Sequence, residues 1–291
     1  MSGNLILIAG YPKSGNTRGR LFFEALTRPL GSRPAANELG NAFNGGWRRM
    51  MFDTCAPVSS AYLKPEEIDE LLPDIYRRVA LEAAGPSLVK VHDAAFRTRS
   101  GHWLYPPEHV SAVIYIVRHP FDVAASFAHH MSFDMETAVC VMGSNYVIAP
   151  TETRMIMPLH ERIGSWSTNV ASWLDETPYP LTLVRYEDLH ADPLGQFPRL
   201  AGAVGYKVKE IISRAIETAR FERLEAEERA QGFNERPQSS PKFFRAGKPR
   251  SWEGKLDARL RRRIVRDHGA IMKRLGYTPD GNVLPFLPKP L

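Results

Sequence analysis

A chain of 291 residues, 43% hydrophobic and 24% charged, is long enough to bury a substantial core and too apolar to remain disordered, which sets aside linkers and low-complexity scaffolds. Its two cysteines, Cys55 and Cys140, build no disulfide framework and belong to no C-x-x-C pair, so a cystine-stapled module is excluded and two thiols in a reducing compartment are expected. A formal charge of +6 favours anionic partners without separating nucleic acid from a phosphorylated small molecule or an acidic acceptor.

Leu5–Ala9 is a short continuous apolar run bounded by a turn, the pattern of a strand buried in a parallel sheet. The run is too short for a membrane span or a signal-peptide core and has no basic region ahead of it, so a cytoplasmic location is expected. Over residues 17–26, Leu21, Phe22, Ala25 and Leu26 alternate with Arg18, Arg20 and Glu24 at helical spacing. Strand, loop and helix thus follow one another as in the opening of a βαβ unit. Residues 28–60, rich in Gly, Pro, Asn and Arg, are expected to be loop-rich, and Pro65 with Glu66 and Glu67 begins a helix. Residues 88–91 form a second short strand, followed at once by His92 and Asp93. Val110–Val117 is the clearest strand of the chain, with Arg118 at its end.

Helical periodicity runs on after Pro120 through Phe121, Ala124, Ala125 and Ala128. Residues 131–158 read equally as a lid over a pocket or a plain insertion. Helix resumes over residues 159–174, and Leu181–Arg185 is a fourth strand. One or two helices over 207–227 and a polar loop over 231–249, containing Phe243 and Phe244, lead to a last helix over 254–275. Its basic cluster, Arg259 and Arg261 to Arg263, reads as a solvated face. The expected architecture is α/β, a central mostly parallel sheet flanked by helices, in a single domain over residues 1–291.

The loop from Gly10 to Thr17, GYPKSGNT, lies between the first strand and the first helix. Gly15 can take a turn conformation that costs other residues, and the backbone N–H groups that follow open into the space before the helix. With Lys13, Ser14 and Thr17 the loop forms a nest for a terminal phosphate. A dinucleotide fingerprint is absent, and Asn16 stands where a Walker A loop has its lysine, which argues against an ordinary nucleoside triphosphatase.

A second anion cluster comes from Arg118, whose planar fork suits phosphate, and Ser126; pairing of Arg118 with Asp122 is the competing reading. His92, sharing a strand end with Lys90, is placed to accept a proton from a hydroxyl, with His119, His129, His130 and His160 as rivals. No histidine or cysteine spacing suits a metal ion.

Together these motifs resemble the cytosolic-type sulfotransferases that use 3′-phosphoadenosine 5′-phosphosulfate (PAPS), a family with a P-loop-like fold. YPKSGNT at 11–17 is similar to the family's 5′-phosphosulfate loop, VRHPFDVAASFAHH at 117–130 to its 3′-phosphate segment and KVH at 90–92 to the segment with its catalytic histidine. GSW at 164–166, VRYEDL at 184–189 and FFRAGKPRSW at 243–252 follow in the family's order, so the resemblance spans nearly the whole chain.

The resemblance implies that Lys13 contacts the bridging and sulfuryl oxygens and that Ser14, Gly15, Asn16 and Thr17 hold the 5′-phosphate. It assigns Arg118, Ser126 and Arg245 to the 3′-phosphate, Gly247 to shaping the last loop, and Tyr186 and Phe221 to the adenine. His92 becomes the general base and Lys90 an auxiliary cation. Two departures stand out. Arg18 replaces the family's adenine-stacking tryptophan, where a guanidinium can stack instead, and Ala246 replaces the lysine of the usual Arg-Lys-Gly, with Lys248 or Arg250 near enough in sequence to compensate.

The implied reaction moves a sulfuryl group from PAPS to the hydroxyl of a small-molecule, lipid-like or glycopeptide acceptor. Adenosine 3′,5′-bisphosphate (PAP) is the implied product, and no metal, nucleic-acid partner or transmembrane segment is involved. Whether the chain forms a homo-oligomer is left open. A nucleotide or small-molecule kinase and a polyanion-binding module are the alternatives.

Overall fold

The computed structural model describes residues 4–285 apart from 30, 33, 39–44, 149–158, 237–241 and 245–246, with the backbone alone at 45–47. Four parallel strands form its sheet in the order β2 (Ser87–Val91), β1 (Leu5–Ala9), β3 (Val110–Val117) and β6 (Leu181–Arg185). The apolar runs of β1 and of residues 112–117 in β3 go with burial on both faces. Leu5, Leu7 and Ala9 pack into one hydrophobic cluster with Val113, Tyr115 and Val117, while Ile6 and Ile8 pack into the other with Ile114 and Ile116.

Helices α1 (Asn16–Thr27), α8 (Pro193–Ala203) and α9 (Lys209–Thr218) cover the second face through Phe22, Phe197 and Ile216. The first face is covered by α3 (Pro65–Glu82), α4 (Pro120–Met131), α6 (Trp166–Asp175) and α11 (Ala258–Arg274) through Leu72, Phe121, Trp173 and Ile264. Each such side chain contributes roughly 1.5–3 kcal/mol on burial. At Gly19 a Cβ would come within 2.6 Å of Ile116 Cδ1, so α1 lies directly on β3.

Several boundaries differ from expectation for identifiable reasons. Within the stretch expected to be loop-rich, Gly45–Cys55 forms a helix, α2, and carries Met51 and Phe52 into the core; tertiary packing outweighs a Gly-rich local sequence. The helix expected over 159–174 begins only at Trp166. Gly164 has φ +70°, Ser165 caps the helix by accepting from the Thr168 N–H, and Glu161–Arg162 forms a short strand, β5, antiparallel to β4 (Val147–Ile148). The last helix likewise starts after its cap, Asp257, rather than at Gly254. Residues 207–227 hold α9 and the start of α10 (Phe221–Gln231), and α7 (Tyr186–Ala191) follows β6 at once. Of the stretch 131–158, residues 135–142 form α5, and 149–158 lie outside the described residues.

The VRYEDL segment is a clamp. Arg185 donates to both carboxylate oxygens of Asp188 at 2.7 Å and to the carbonyls of Leu275 and Leu284. Glu187 accepts from the His119 N–H at 2.9 Å and from Tyr277 Oη at 2.8 Å. The chain beyond α11 is thereby tied to the carboxyl ends of β3 and β6. Along α11, Arg259 pairs with Glu136 at the surface and Arg262 is exposed, as expected for a solvated face, whereas Arg261 and Arg263 are half-buried, Arg261 over the Trp252 ring.

Candidate active site

The carboxyl ends of β1, β2 and β3 open into one cavity of about 400 Å³. The turn after β1 has little freedom. A Cβ on Gly10 would sit 2.3 Å from the Ile116 carbonyl oxygen, and one on Gly15, at φ +107°, would sit 2.5 Å from the Tyr186 ring. Lys13 itself takes the left-handed conformation, φ +70°, which is costly for a lysine and brings it into the cavity wall. Helix α1 has neither a side-chain cap nor an acidic residue in its first turn, so its leading N–H groups stay available to an anion. Gly15, Asn16 and Thr17 line the cavity, whereas Ser14 is fully buried behind it, its Oγ without a partner among the described residues.

Lys90, from β2, and His92, just beyond it, form the adjoining wall. His92 Nδ1 lies 2.8 Å from the Gly10 carbonyl oxygen and 3.4 Å from Asn16 Nδ2. The shorter contact is to an acceptor, so Nδ1 carries the proton and Nε2 is left basic. Asn169 Nδ2 holds the His92 carbonyl at 2.9 Å, and its Oδ1 accepts from Tyr115 Oη at 2.7 Å, which fixes this strand end against α6.

Crowded cations dominate the electrostatics. Burial, then the charges of Lys90 and Arg118, pull the Lys13 ammonium down to about 7. Burial and Arg20 lower Lys90. Burial and Lys90 hold His92 down to about 3, against the opposing hydrogen bond to Gly10. A wall that disfavours its own positive charges is one that an anion would stabilise.

Arg118 ends β3 and is 7% exposed. Its guanidinium donates to the Lys13 carbonyl at 3.5 Å and the Lys248 carbonyl at 3.2 Å and lies 4.4 Å over the Tyr186 ring. The competing pair with Asp122 is long, 3.8 Å. Asp122 instead accepts from the Arg250 N–H, Ser251 Oγ and the Trp252 N–H at 2.8, 2.8 and 3.2 Å, pinning the late loop against α4. Ser126 lines the same cavity from α4.

Tyr186 begins α7 beneath Gly15 and donates to the Gly247 carbonyl at 2.8 Å, joining the first loop to the last. Gly247, at φ +58°, has the Phe221 ring 2.3 Å from where a Cβ would stand. Arg18 also lines the cavity, with Nε and Nη1 donating to the carbonyls of Ala219 at 3.1 Å and Leu189 at 3.3 Å. Arg245 and Ala246 lie outside the described residues.

The cavity thus gathers Lys13, Gly15, Asn16, Thr17, Arg18, Lys90, His92, Arg118, Ser126, Tyr186, Phe221 and Gly247. Of the rival histidines, His129 and His130 are on its wall. His119 is packed beside Phe121 and Tyr277, and His160 is bonded to Asp69 at 2.8 Å. Among the lining residues that escaped the sequence reading are Arg20, Glu235 and Glu161. Arg20, wholly buried, donates to Glu235 at 2.6 and 2.7 Å and to Thr17 Oγ1 at 3.1 Å. Burial alone would raise Glu235, but Arg20 overrides it and holds the carboxyl down to about 2. Glu161, the third, carried no sequence signal beyond its nearness to the GSW segment. Among the described residues no three His, Cys, Asp or Glu stand together as metal ligands.

Burial also holds His119 and His268 to about 4 and His130 to about 3. In an unfolded chain these rings and His92 would titrate near 6.5. Between about 6.5 and 3–4 the unfolded chain therefore binds protons that the folded one refuses, and stability falls as pH falls through that window. Thermal unfolding followed from pH 7.5 to 4 is expected to show a falling midpoint, with a smaller fall for His268→Gln.

The family of the sulfotransferase domain matches residues 4–276. No curated protein sequence matches this chain. A retinol dehydratase structure, in complex with androsterone and inactive cofactor PAP, superposes with a TM-score of 0.62 at 19% identity over 94% of this chain and 82% of that one. The same protein with retinol and PAP gives 0.60 at 20% identity over 94% and 82%. A mouse sulfotransferase complexed with PAP gives 0.56 at 16% identity over 93% and 85%. At these identities the superpositions speak for the fold.

Proposed function

This chain belongs to the sulfotransferase domain family, and we propose that it transfers the sulfuryl group of PAPS to the hydroxyl of a small-molecule acceptor. The observation that carries the reading is the convergence of Lys13, Lys90, His92 and Arg118, from three neighbouring strand ends, on a single cavity. Retinol and androsterone in the complexes of a similar structure, and the apolar Phe127, Met131 and Ile148 on the cavity wall, support an acceptor of modest size. We read residues 1–291 as one sulfotransferase domain, and its thiols, Cys55 and Cys140, as suited to a reducing cytoplasm. Among the described residues no helix is long and apolar enough to cross a membrane.

In this reading the α1 N-terminus and Lys13 hold the 5′-phosphosulfate, and Arg118, Ser126 and the loop at Gly247 and Arg245 hold the 3′-phosphate. The adenine lies by Tyr186, Phe221 and Arg18. His92 Nε2 accepts the proton of the acceptor hydroxyl as its oxygen attacks sulfur in line with the departing phosphate. Lys13 and loop N–H groups stabilise charge growing on the bridging and sulfuryl oxygens, so the displacement calls for no metal ion. The anionic donor also offsets the repulsion that depresses Lys13 and His92, which makes His92 a better base once the donor is in place.

Calorimetric titration with PAP is expected to show binding, and a screen of hydroxyl acceptors with PAPS to release PAP. Folded protein that binds no PAP, or that instead turns over ATP in a magnesium-dependent way, would refute the proposed reaction.

A further inference from the structure

Glu161 sits in the cavity wall with His92, Lys90 and Phe127, yet the transfer chemistry gives it no task. Its backbone is held from two sides. Strand β5 is tied on one side to β4 and on the other to the segment after His92, where the Arg162 N–H donates to Asp93 Oδ1 at 2.6 Å and the Ala94 N–H donates to the Arg162 carbonyl at 2.8 Å. Among the described residues Glu161 Oε2 is buried without a hydrogen-bond partner, and no cation lies within ion-pairing distance of the carboxyl. Burial, then Asp93, raises its pKa, while Lys90, Arg48 and His160 oppose the rise. A buried carboxyl oxygen without a partner is costly, and one facing a ligand cavity is accounted for when the ligand brings the missing donor.

Resting on the sulfotransferase reading, we propose that Glu161 is a specificity-determining residue that accepts a hydrogen bond from a second hydroxyl of the acceptor, vicinal to the one sulfated. The acceptor class it selects is therefore polyhydroxylated rather than a simple alcohol. A neutral hydroxyl suits the place better than an ammonium group. Lys13, Lys90 and Arg20 already crowd positive charge into the same cavity, and a further cation would add to a repulsion that depresses both lysines. Asp93, by contrast, is committed to Arg48 at 2.7 Å and to the Arg162 N–H, which leaves Glu161 as the carboxyl with bonding capacity to spare.

The test compares cyclohexanol, its vicinal trans-diol and the matching vicinal amino alcohol as acceptors at saturating PAPS, with PAP formation as the readout. In the native enzyme the diol is expected to exceed the simple alcohol in kcat/KM by about 10- to 100-fold, the range for an analogue that leaves a buried polar group of the site unpaired, and to exceed the amino alcohol as well. In Glu161→Leu the diol-to-alcohol ratio should collapse toward unity. Glu161→Gln, which keeps one acceptor oxygen of the two, should fall between and serves if the leucine variant does not fold. A native ratio near unity, including no use of either alcohol, overturns the inference, as does a ratio that survives in Glu161→Leu or a preference for the amino alcohol. Calorimetry with PAP separates the two levels: binding without diol preference sinks this inference alone, and absence of binding sinks the sulfotransferase reading with it.

Discussion

Replacing His92 by alanine is expected to lower turnover by about 10²–10⁴-fold while PAP affinity stays within a few-fold of native. The effect is large because the Nδ1 bond to Gly10 commits the ring to one tautomer, with Nε2 basic. Donor affinity should survive, since the proposed phosphate contacts come from α1, Lys13 and Arg118. The pH profile gives a readout that mere structural damage would not. In the native enzyme kcat falls as acid protonates the base, on a limb above the empty-site value of about 3 because the bound donor offsets Lys90 and Lys13. His92→Ala should lose that limb. Retention of near-native turnover under chemistry-limited conditions would remove His92 from the mechanism.

Replacing Lys13 by methionine, which keeps the volume of the side chain, is expected to reduce kcat/KM by about 10²–10³-fold, the effect of deleting one preorganised donor to developing negative charge. In the empty site its ammonium is held to about 7, so at pH 8 much of it is neutral. An anion stabilises the charged form and raises that value. Binding of PAP at pH 8 should therefore take up protons, and affinity should weaken as pH rises through the empty-site value. Calorimetry in two buffers of different ionisation enthalpy measures the uptake. Lys13→Met should abolish most of it, and an unchanged uptake would mean that another group, Lys90 foremost, is the one that titrates.

Much of this site was legible because its signals are local. Lys13 and Gly15 sit in a turn between a doubly buried strand and a helix, and His92 and Arg118 each stand just past a strand whose apolar run is plain. Arg20 was missed because a charged residue on a helix is ordinarily solvated, and its partner, Glu235, is 215 positions away. Asp122 does stand 3.8 Å from Arg118, the pairing its four-residue spacing offers, but its hydrogen bonds go to a loop 128 to 130 positions later, which spacing in the chain does not reveal. Helix α2 stayed hidden because its Gly-rich start gives a helix little local support, and Met51 and Phe52 find their packing only in the assembled core.

The chain's own order of residues determined the parallel α/β plan, the anion-loop turn and the three strand ends that carry Lys13, His92 and Arg118. Each depends on backbone preference and hydrophobic period over a few neighbouring positions. Only the tertiary structure decided which charges share one cavity, that Lys13 is held near neutrality and His92 uncharged, and that Glu161 faces the space beside them. Burial and Coulomb repulsion depend on separation in space, and the groups that set these charge states are brought together from positions far apart in the chain.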